Sequence, residues 1–149
     1  EAVVRDFSHQ AQQRDIALRV ACESPLPLLR GDRHFLTQAL ANLVENALKF
    51  TPEGGCVNVQ AAVIEDCVVI KVSDTGIGIA PADLSRVFER FFRAEQPRMA
   101  HARGSGLGLS LVKAVMDAHN GRVWLESALG EGTTVYMALP ISPSESLVQ

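Results

Sequence analysis

The sequence predicts one α+β domain: a two-layer α/β sandwich in which a mixed, mostly antiparallel sheet of about five strands carries about three helices on one face. Three observations predict it. Runs rich in β-branched residues come in pairs across short polar or glycine turns, Val57–Ile64 with Val68–Val72 and Val123–Glu126 with Thr133–Leu139, the mark of hairpins. Apolar residues at helical spacing follow Asp32 and Leu107. The 149 residues contain neither an internal repeat nor an interior linker, which fits a single domain.

In chain order, residues 1–13 read as a short helix, and Ile16–Ala21 as a brief strand with Ile16, Leu18 and Val20 on one side. A proline-broken stretch from Pro25 to Arg30 leads to Asp32, the expected N-cap of a helix running to Phe50. Thr51-Pro52 and Gly54-Gly55 end that helix. Glu65-Asp66 turns the first hairpin. Pro81 is expected to open a helix reaching about Phe92, and Ala94–Ser105, aperiodic and holding Pro97, reads as a loop. A helix over Leu107–His119 stops at the cap pair Asn120-Gly121. The second hairpin turns at Gly130-Glu131-Gly132. The domain is expected over residues 1–141, with the Ser-rich segment 142–149 as a flexible tail.

Composition narrows the function classes. The chain is 47% hydrophobic and 21% charged, with a net charge of −3, so nothing electrostatic points to nucleic acid. No apolar run approaches the length of a membrane span, about 20 residues, and no direct membrane contact is expected. Cys22, Cys56 and Cys67 form no C-x-x-C pair and read as reduced packing residues. The four histidines lack metal-ligand spacing. The chain opens at Glu1, not methionine, and reads as a piece of a longer protein.

On the helix after Asp32, Leu36, Leu40, Leu43, Val44, Ala47 and Leu48 fall on one side. Asn42, Asn46 and Lys49 line up on the other. A solvated face is one reading of that stripe. Asparagine is a poor helix former, however, and solvent-facing positions more often hold Glu, Lys or Gln. Amide oxygens suit a magnesium ion that already carries phosphates, and a lysine binds phosphate as a point charge. Both readings stand on this feature alone.

Two glycine elements add to it. Asp74-Thr75-Gly76-Ile77-Gly78-Ile79 follows a strand directly. Its alternate glycines let the backbone approach a flat ligand, and its carboxylate can accept from adenine's exocyclic amine, where guanine has a carbonyl. Gly104-Ser105-Gly106-Leu107-Gly108-Leu109 precedes a helix but lacks the third glycine of a dinucleotide fingerprint, and no Walker A sequence exists. What it offers is a run of backbone N–H groups entering a helix N-terminus, a cradle for phosphate oxygens.

Taken together, the order and types of these pieces resemble the GHKL superfamily, named for gyrase, Hsp90, histidine kinase and MutL, and within it the sensor histidine kinases. Asn42–Phe50 (N-L-V-E-N-A-L-K-F) resembles the N box, and Asp74–Ile79 the G1 box. Phe88–Arg93 (F-E-R-F-F-R) is similar to the F box, Gly104–Ser110 to the G2 box, and Gly130–Pro140 to the family's last hairpin. The likeness spans about residues 30 to 140.

The resemblance implies ATP and Mg2+ as cofactors. Asn46 would ligate the magnesium, with Asn42 alongside. Lys49 would contact phosphate and Phe50 flank the base. Asp74 would read adenine in a pocket shaped by Gly76, Gly78 and Ile79. Arg93 and Arg90 would approach the terminal phosphate, while Gly104, Gly106, Leu107 and Gly108 close on the triphosphate. Ala94–Ser105 would be a mobile ATP lid; its Arg98, His101 and Arg103 read either as solvated charges or as contacts to phosphate or a partner domain.

Hydrolases of the superfamily resemble one another in a glutamate, the general base, one turn before the metal-ligand asparagine. Here that position is Asn42, whose amide has no usable basicity near neutral pH. The resemblance therefore implies a kinase whose acceptor histidine lies on a separate dimerisation and phosphoacceptor domain of the same protein. Phe7-Ser8-His9 is superficially like an acceptor motif, but Gln10 stands where an acidic residue is expected and no Leu-Arg-Thr-Pro follows. A response regulator downstream, a homodimeric parent and a cytoplasmic, monomeric isolated domain complete the expectation. The alternatives are a nucleotide-binding pseudokinase or interaction module, and a GHKL ATPase.

Overall fold

A computed structural model of the chain describes residues 2–22, 26–27, 29, 31–89 and 108–141. Helix α1 (Ala2–Gln13) buries Val3, Val4 and Ala11, one stripe at helical spacing. Asp15, at φ 54°, turns the chain toward β1 (Ala17–Cys22), and Ile16 is buried at the entry. Leu18 reaches the core, but Val20 is 37% exposed. Strand β1 lies at the sheet edge with β2 as its one neighbour, so the predicted alternation holds for Ile16 and Leu18 only.

Helix α2 (Arg33–Phe50) starts where its cap predicts: the Asp32 carboxylate accepts from the Phe35 N–H at 3.0 Å. Its apolar stripe buries Ala39, Leu43, Val44, Ala47 and Leu48. Thr51 ends it fully buried, its hydroxyl donating to the Ala47 carbonyl at 2.6 Å. Strands β2 (Cys56–Ile64) and β3 (Cys67–Asp74) form the first hairpin, with Glu65 at φ 55° in its turn.

The helix expected from Pro81 differs. Pro81–Asp83 form one 3-10 turn, and the N–H groups of Asp83, Leu84, Arg86 and Glu89 each donate three residues back. Ala80 offers no side-chain cap, so the tighter turns are not rewound into an α-helix. The expected continuation over residues 90–92 lies outside the described residues.

Helix α3 (Gly108–Ala118) ends on Asn120 at φ 58°; the Gly121 N–H donates to Met116 O at 2.8 Å and the Asn120 N–H to Asp117 O at 3.3 Å. That is the two-bond cap of a left-handed C-terminal residue. Strands β4 (Arg122–Ala128) and β5 (Gly132–Pro140) close the fold.

The sheet order is β1-β2-β3-β5-β4, with β1 parallel to β2 and every other pair antiparallel. Val57, Val59, Val72, Val135, Met137 and Leu139 face the helices and pack with Leu43, Val44, Leu48, Val112 and Met116. Each such burial stabilises by about 1.5–3 kcal/mol. On the opposite face Trp124 stacks on Tyr136, ring centroids 5.1 Å apart.

Helices α2 and α3 run against each other and are tied at one end by His119. Its Nε2 accepts the Asp32 N–H at 2.9 Å, and its Nδ1 lies 2.7 Å from the Val115 carbonyl. A nitrogen that accepts leaves the proton on the other, so Nδ1 donates. This tie brings the opposite ends, the last turns of α2 and the first of α3, together beside the end of the central strand β3.

Candidate functional site

Asp74 is the last residue of β3, flanked in register by Val57 on β2 and Thr133 on β5. Its Oδ1 accepts from the Gly76 N–H at 2.8 Å and the Thr133 N–H at 3.2 Å. No described residue bonds its Oδ2. Burial pushes the carboxyl up from 3.8 to about 6, against the pull of the two amides. Near neutral pH this is an oriented carboxylate with one acceptor oxygen free, held in a site that penalises its charge.

The loop after Asp74 is fixed by backbone contacts on both sides. Toward α2, the Ile77 N–H donates to the Phe50 carbonyl at 3.1 Å, and a Cβ on Gly76 would stand 2.4 Å from that oxygen. Toward the second hairpin, the Ile79 N–H donates to Ser127 Oγ and the Gly130 N–H to the Ile77 carbonyl, both at 2.8 Å. Gly78 sits at φ 76°, and a Cβ there would meet the Ala128 carbonyl oxygen at 2.0 Å. Only glycine fits both the dihedral and the space.

Asn46 meets the start of α3: a Cβ on Gly108 would lie 3.0 Å from the Asn46 side-chain nitrogen. Asn42 and Asn46 are half-buried, and among the described residues neither amide makes a hydrogen bond. Of the two asparagines, Asn46 thus lies against the first residue of α3. Lys49, 28% exposed, pairs with Glu45 at 3.7 Å. A pair so exposed contributes about 0.3–0.5 kcal/mol and is readily exchanged for another anion.

The structure thus brings Asn46 to Gly108 and Phe50 to Gly76 and Ile77. Gly78 and Ile79 join the same loop to the second hairpin. Arg90, Arg93, Gly104, Gly106, Leu107 and the expected lid residues Arg98, His101 and Arg103 lie outside the described residues. Three contributors were missed by sequence reasoning: the Thr133 N–H, Ser127 Oγ and the Phe50 carbonyl. Two of them are main-chain groups and carry no residue-type signal. Among the described residues no helix is long and apolar enough to cross a membrane, and no group of His, Cys, Asp or Glu side chains could hold a metal.

Residues 31–143 match the family model described as histidine kinase-, DNA gyrase B-, and HSP90-like ATPase. The chain is 50% identical over 144 residues to the histidine protein kinase DivJ of Caulobacter vibrioides, covering 95% of this chain and 24% of DivJ. It is 45% identical over 130 residues to the sensor-like histidine kinase SenX3 of Mycobacterium tuberculosis, covering 87% of this chain and 32% of SenX3. The chain thus spans a third or less of these relatives. Among solved structures it is similar to the mycobacterial sensor histidine kinase MprB, with TM-score 0.76, 35% identity and 93% of each chain covered. It is also similar to full-length ShkA in complex with AMPPNP, with TM-score 0.82 and 34% identity over 95% of this chain and 29% of that one.

Proposed function

This chain belongs to the histidine kinase-, DNA gyrase B- and HSP90-like ATPase family, on its sensor histidine kinase branch, and from that premise we propose that it is the ATP-binding catalytic unit of a two-component kinase. One observation carries the reading. Asn46 presents a half-buried amide with no hydrogen-bond partner among the described residues, against the opening of α3 at Gly108. A partly buried amide costs free energy unless something bonds it. A phosphate-bound cation would bond the oxygen, and a helix N-terminus is suited to receive the phosphates it carries.

At the other end, Asp74 Oδ2 is free to accept the exocyclic amine of adenine, with Phe50, Gly76, Gly78 and Ile79 forming the walls. Lys49 exchanges Glu45 for phosphate. Asn42 flanks Asn46, whose neutral oxygen fits Mg2+ better than it fits a softer metal. The magnesium, when bound, neutralises charge on the phosphates. Arg90 and Arg93 toward the terminal phosphate, and Gly104, Gly106 and Leu107 around the triphosphate, are assigned by the family likeness alone. The unit's extent is taken as residues 1–141, with the Ser-rich segment 142–149 as an appended tail.

Phosphoryl transfer asks a protein chiefly for positioning and charge neutralisation. An imidazole nitrogen of the phosphoacceptor domain attacks the γ-phosphorus, the bond to the β–γ bridging oxygen breaks, and ADP leaves. Asn42 supplies no base for water, which favours transfer over hydrolysis. In the parent protein, a homodimer, the phosphoryl group then passes to a response regulator.

The test combines this chain with ATP, magnesium and a separately supplied phosphoacceptor domain. Acid-labile phosphohistidine on the acceptor, with little phosphate released when the acceptor is omitted, is the expected result. Normal ATP binding without phosphohistidine would instead identify a binding module. Rapid phosphate release without acceptor would identify a hydrolase.

A further inference from the structure

Arg14 lies just beyond α1, outside every motif of the site, yet its side chain ends on the site's main helix. One guanidinium nitrogen donates to the Leu48 carbonyl and the other to the Thr51 carbonyl at 2.9 Å. Leu48 and Thr51 stand at the C-terminus of α2, where carbonyls have no N–H of their own helix to accept. A cation with two fixed donors is well matched to that end: it satisfies two orphan acceptors and complements the helix dipole.

The turn so capped is shared with the pocket. Between Leu48 and Thr51 stand Lys49 and Phe50, and the Phe50 carbonyl accepts the Ile77 N–H while packing against Gly76. The corner that carries Arg14 is stitched to the same turn by main-chain bonds as well. The Gly54 N–H donates to the Asp15 carbonyl at 2.8 Å, and the Ala17 N–H donates to the Gly55 carbonyl at 3.0 Å. Thr75 then ties that turn to the pocket loop: its N–H donates to the Cys56 carbonyl at 3.1 Å, and its hydroxyl accepts the Cys56 N–H at 3.0 Å. Two routes therefore run from the α1–β1 corner to residues 74–77, one through Phe50 and one through Cys56.

The geometry points to Arg14 as a positioning residue for the base end of the nucleotide site, holding the last turn of α2, and through it the Gly76–Ile77 backbone, where Asp74 can meet the base. This rests on the nucleotide reading of the site given above. It makes the first segment of the chain part of the binding machinery although that segment carries none of the site's motifs.

The test compares three variants of the whole chain: Arg14→Gln, Arg14→Lys and Asp32→Ala. Asp32→Ala removes the cap at the far end of the same helix and serves as a control for destabilisation alone. Binding of ATP with magnesium is titrated, the melting temperature recorded, and the amide resonances of Gly76 and Ile77 followed by NMR without nucleotide. Arg14→Gln is expected to weaken ATP binding about tenfold, a change matched to loss of one preorganising contact, and to shift both resonances. Arg14→Lys, which keeps one donor to the pair of carbonyls, recovers part of each. Asp32→Ala lowers the melting temperature with affinity within twofold. The inference is overturned if Arg14→Gln binds ATP within twofold of the parent chain, or if Asp32→Ala weakens binding as much. Should the parent chain bind no ATP, the functional reading fails first; unshifted Gly76 and Ile77 resonances in Arg14→Gln would still sink the positioning role separately.

Discussion

The two ends of the candidate site are built in opposite ways. At the Asp74 end the holding groups are main-chain atoms and one hydroxyl: the Gly76 and Thr133 N–H groups hold the carboxylate, and the Phe50 carbonyl, Ser127 hydroxyl and Gly130 N–H hold the loop. At the Asn46 end the side chains are unspent. Two half-buried amides have no described partner, and a lysine is engaged in a weak surface pair. The first end is preorganised, so its cost was met in folding. The second leaves its amide hydrogen-bonding capacity unused among the described residues. Substitutions should therefore separate the ends: the first fails through structure, the second through chemistry.

The largest effect is expected at Gly78. Valine there would put a Cβ 2.0 Å from the Ala128 oxygen while holding φ at 76°. The loop must move, and Gly78→Val is expected to cost about 3 kcal/mol of stability and abolish nucleotide binding. Gly130 has a similar φ of 78° but open space around it. Gly130→Ala should cost only the dihedral, about 1 kcal/mol. Denaturant titration of both proteins checks the contrast. Equal losses would mean that close packing against the second hairpin is not what holds the loop.

Asn46→Leu comes next and should behave in the reverse manner. Replacing an unbonded, half-buried amide with an apolar group of similar size leaves stability within about 1 kcal/mol or raises it. Phosphotransfer, measured as initial phosphohistidine formation on the supplied acceptor, should fall about a hundredfold, the scale set by loss of one preorganised electrostatic contact. A large stability loss in this variant would erase the distinction between the ends.

The same division explains what the sequence could tell. Asn42, Asn46 and Lys49 stood out as candidates because at their end of the site residue type is the signal: asparagine is out of place on an ordinary solvated face. Asp74 was legible from its place after a strand and before alternate glycines. The Thr133 N–H was not, because every non-proline residue has one. Only the register that sets Asp74 opposite Thr133 selects it, and that pairing joins positions 59 residues apart. Ser127 and Arg14 were hidden for a related reason, since each acts on main-chain atoms remote in sequence. The fold itself was largely readable from its two hairpins and the capped helices α2 and α3. The segment after Pro81 was not, because proline marks a helix start without saying whether a cap will sustain one.

The smallest effect, and the sharpest, lies at Asp74, where structure and chemistry meet in one group. Its carboxyl is raised from 3.8 in an unfolded chain to about 6 in the fold, chiefly by burial. Between those values the folded state holds the extra proton, so rising pH lowers stability across that window. The penalty is absent below about 3.8 and complete above about 6. Asp74→Asn keeps an oxygen for the Gly76 and Thr133 amides and removes the charge. It should therefore stabilise the fold by about 1–2 kcal/mol at pH 7.5 and by almost nothing at pH 4. ATP affinity should fall about tenfold or more at pH 7.5, because an amine donor prefers a carboxylate to an amide. The affinity gap between parent and variant should narrow as pH drops through about 6, where the parent carboxyl protonates. The phosphates titrate in both proteins alike, so the gap isolates Asp74. A variant that is both more stable and a weaker binder would show a preorganised group kept against the interest of the fold; equal affinity across the pH range would remove Asp74 from the site.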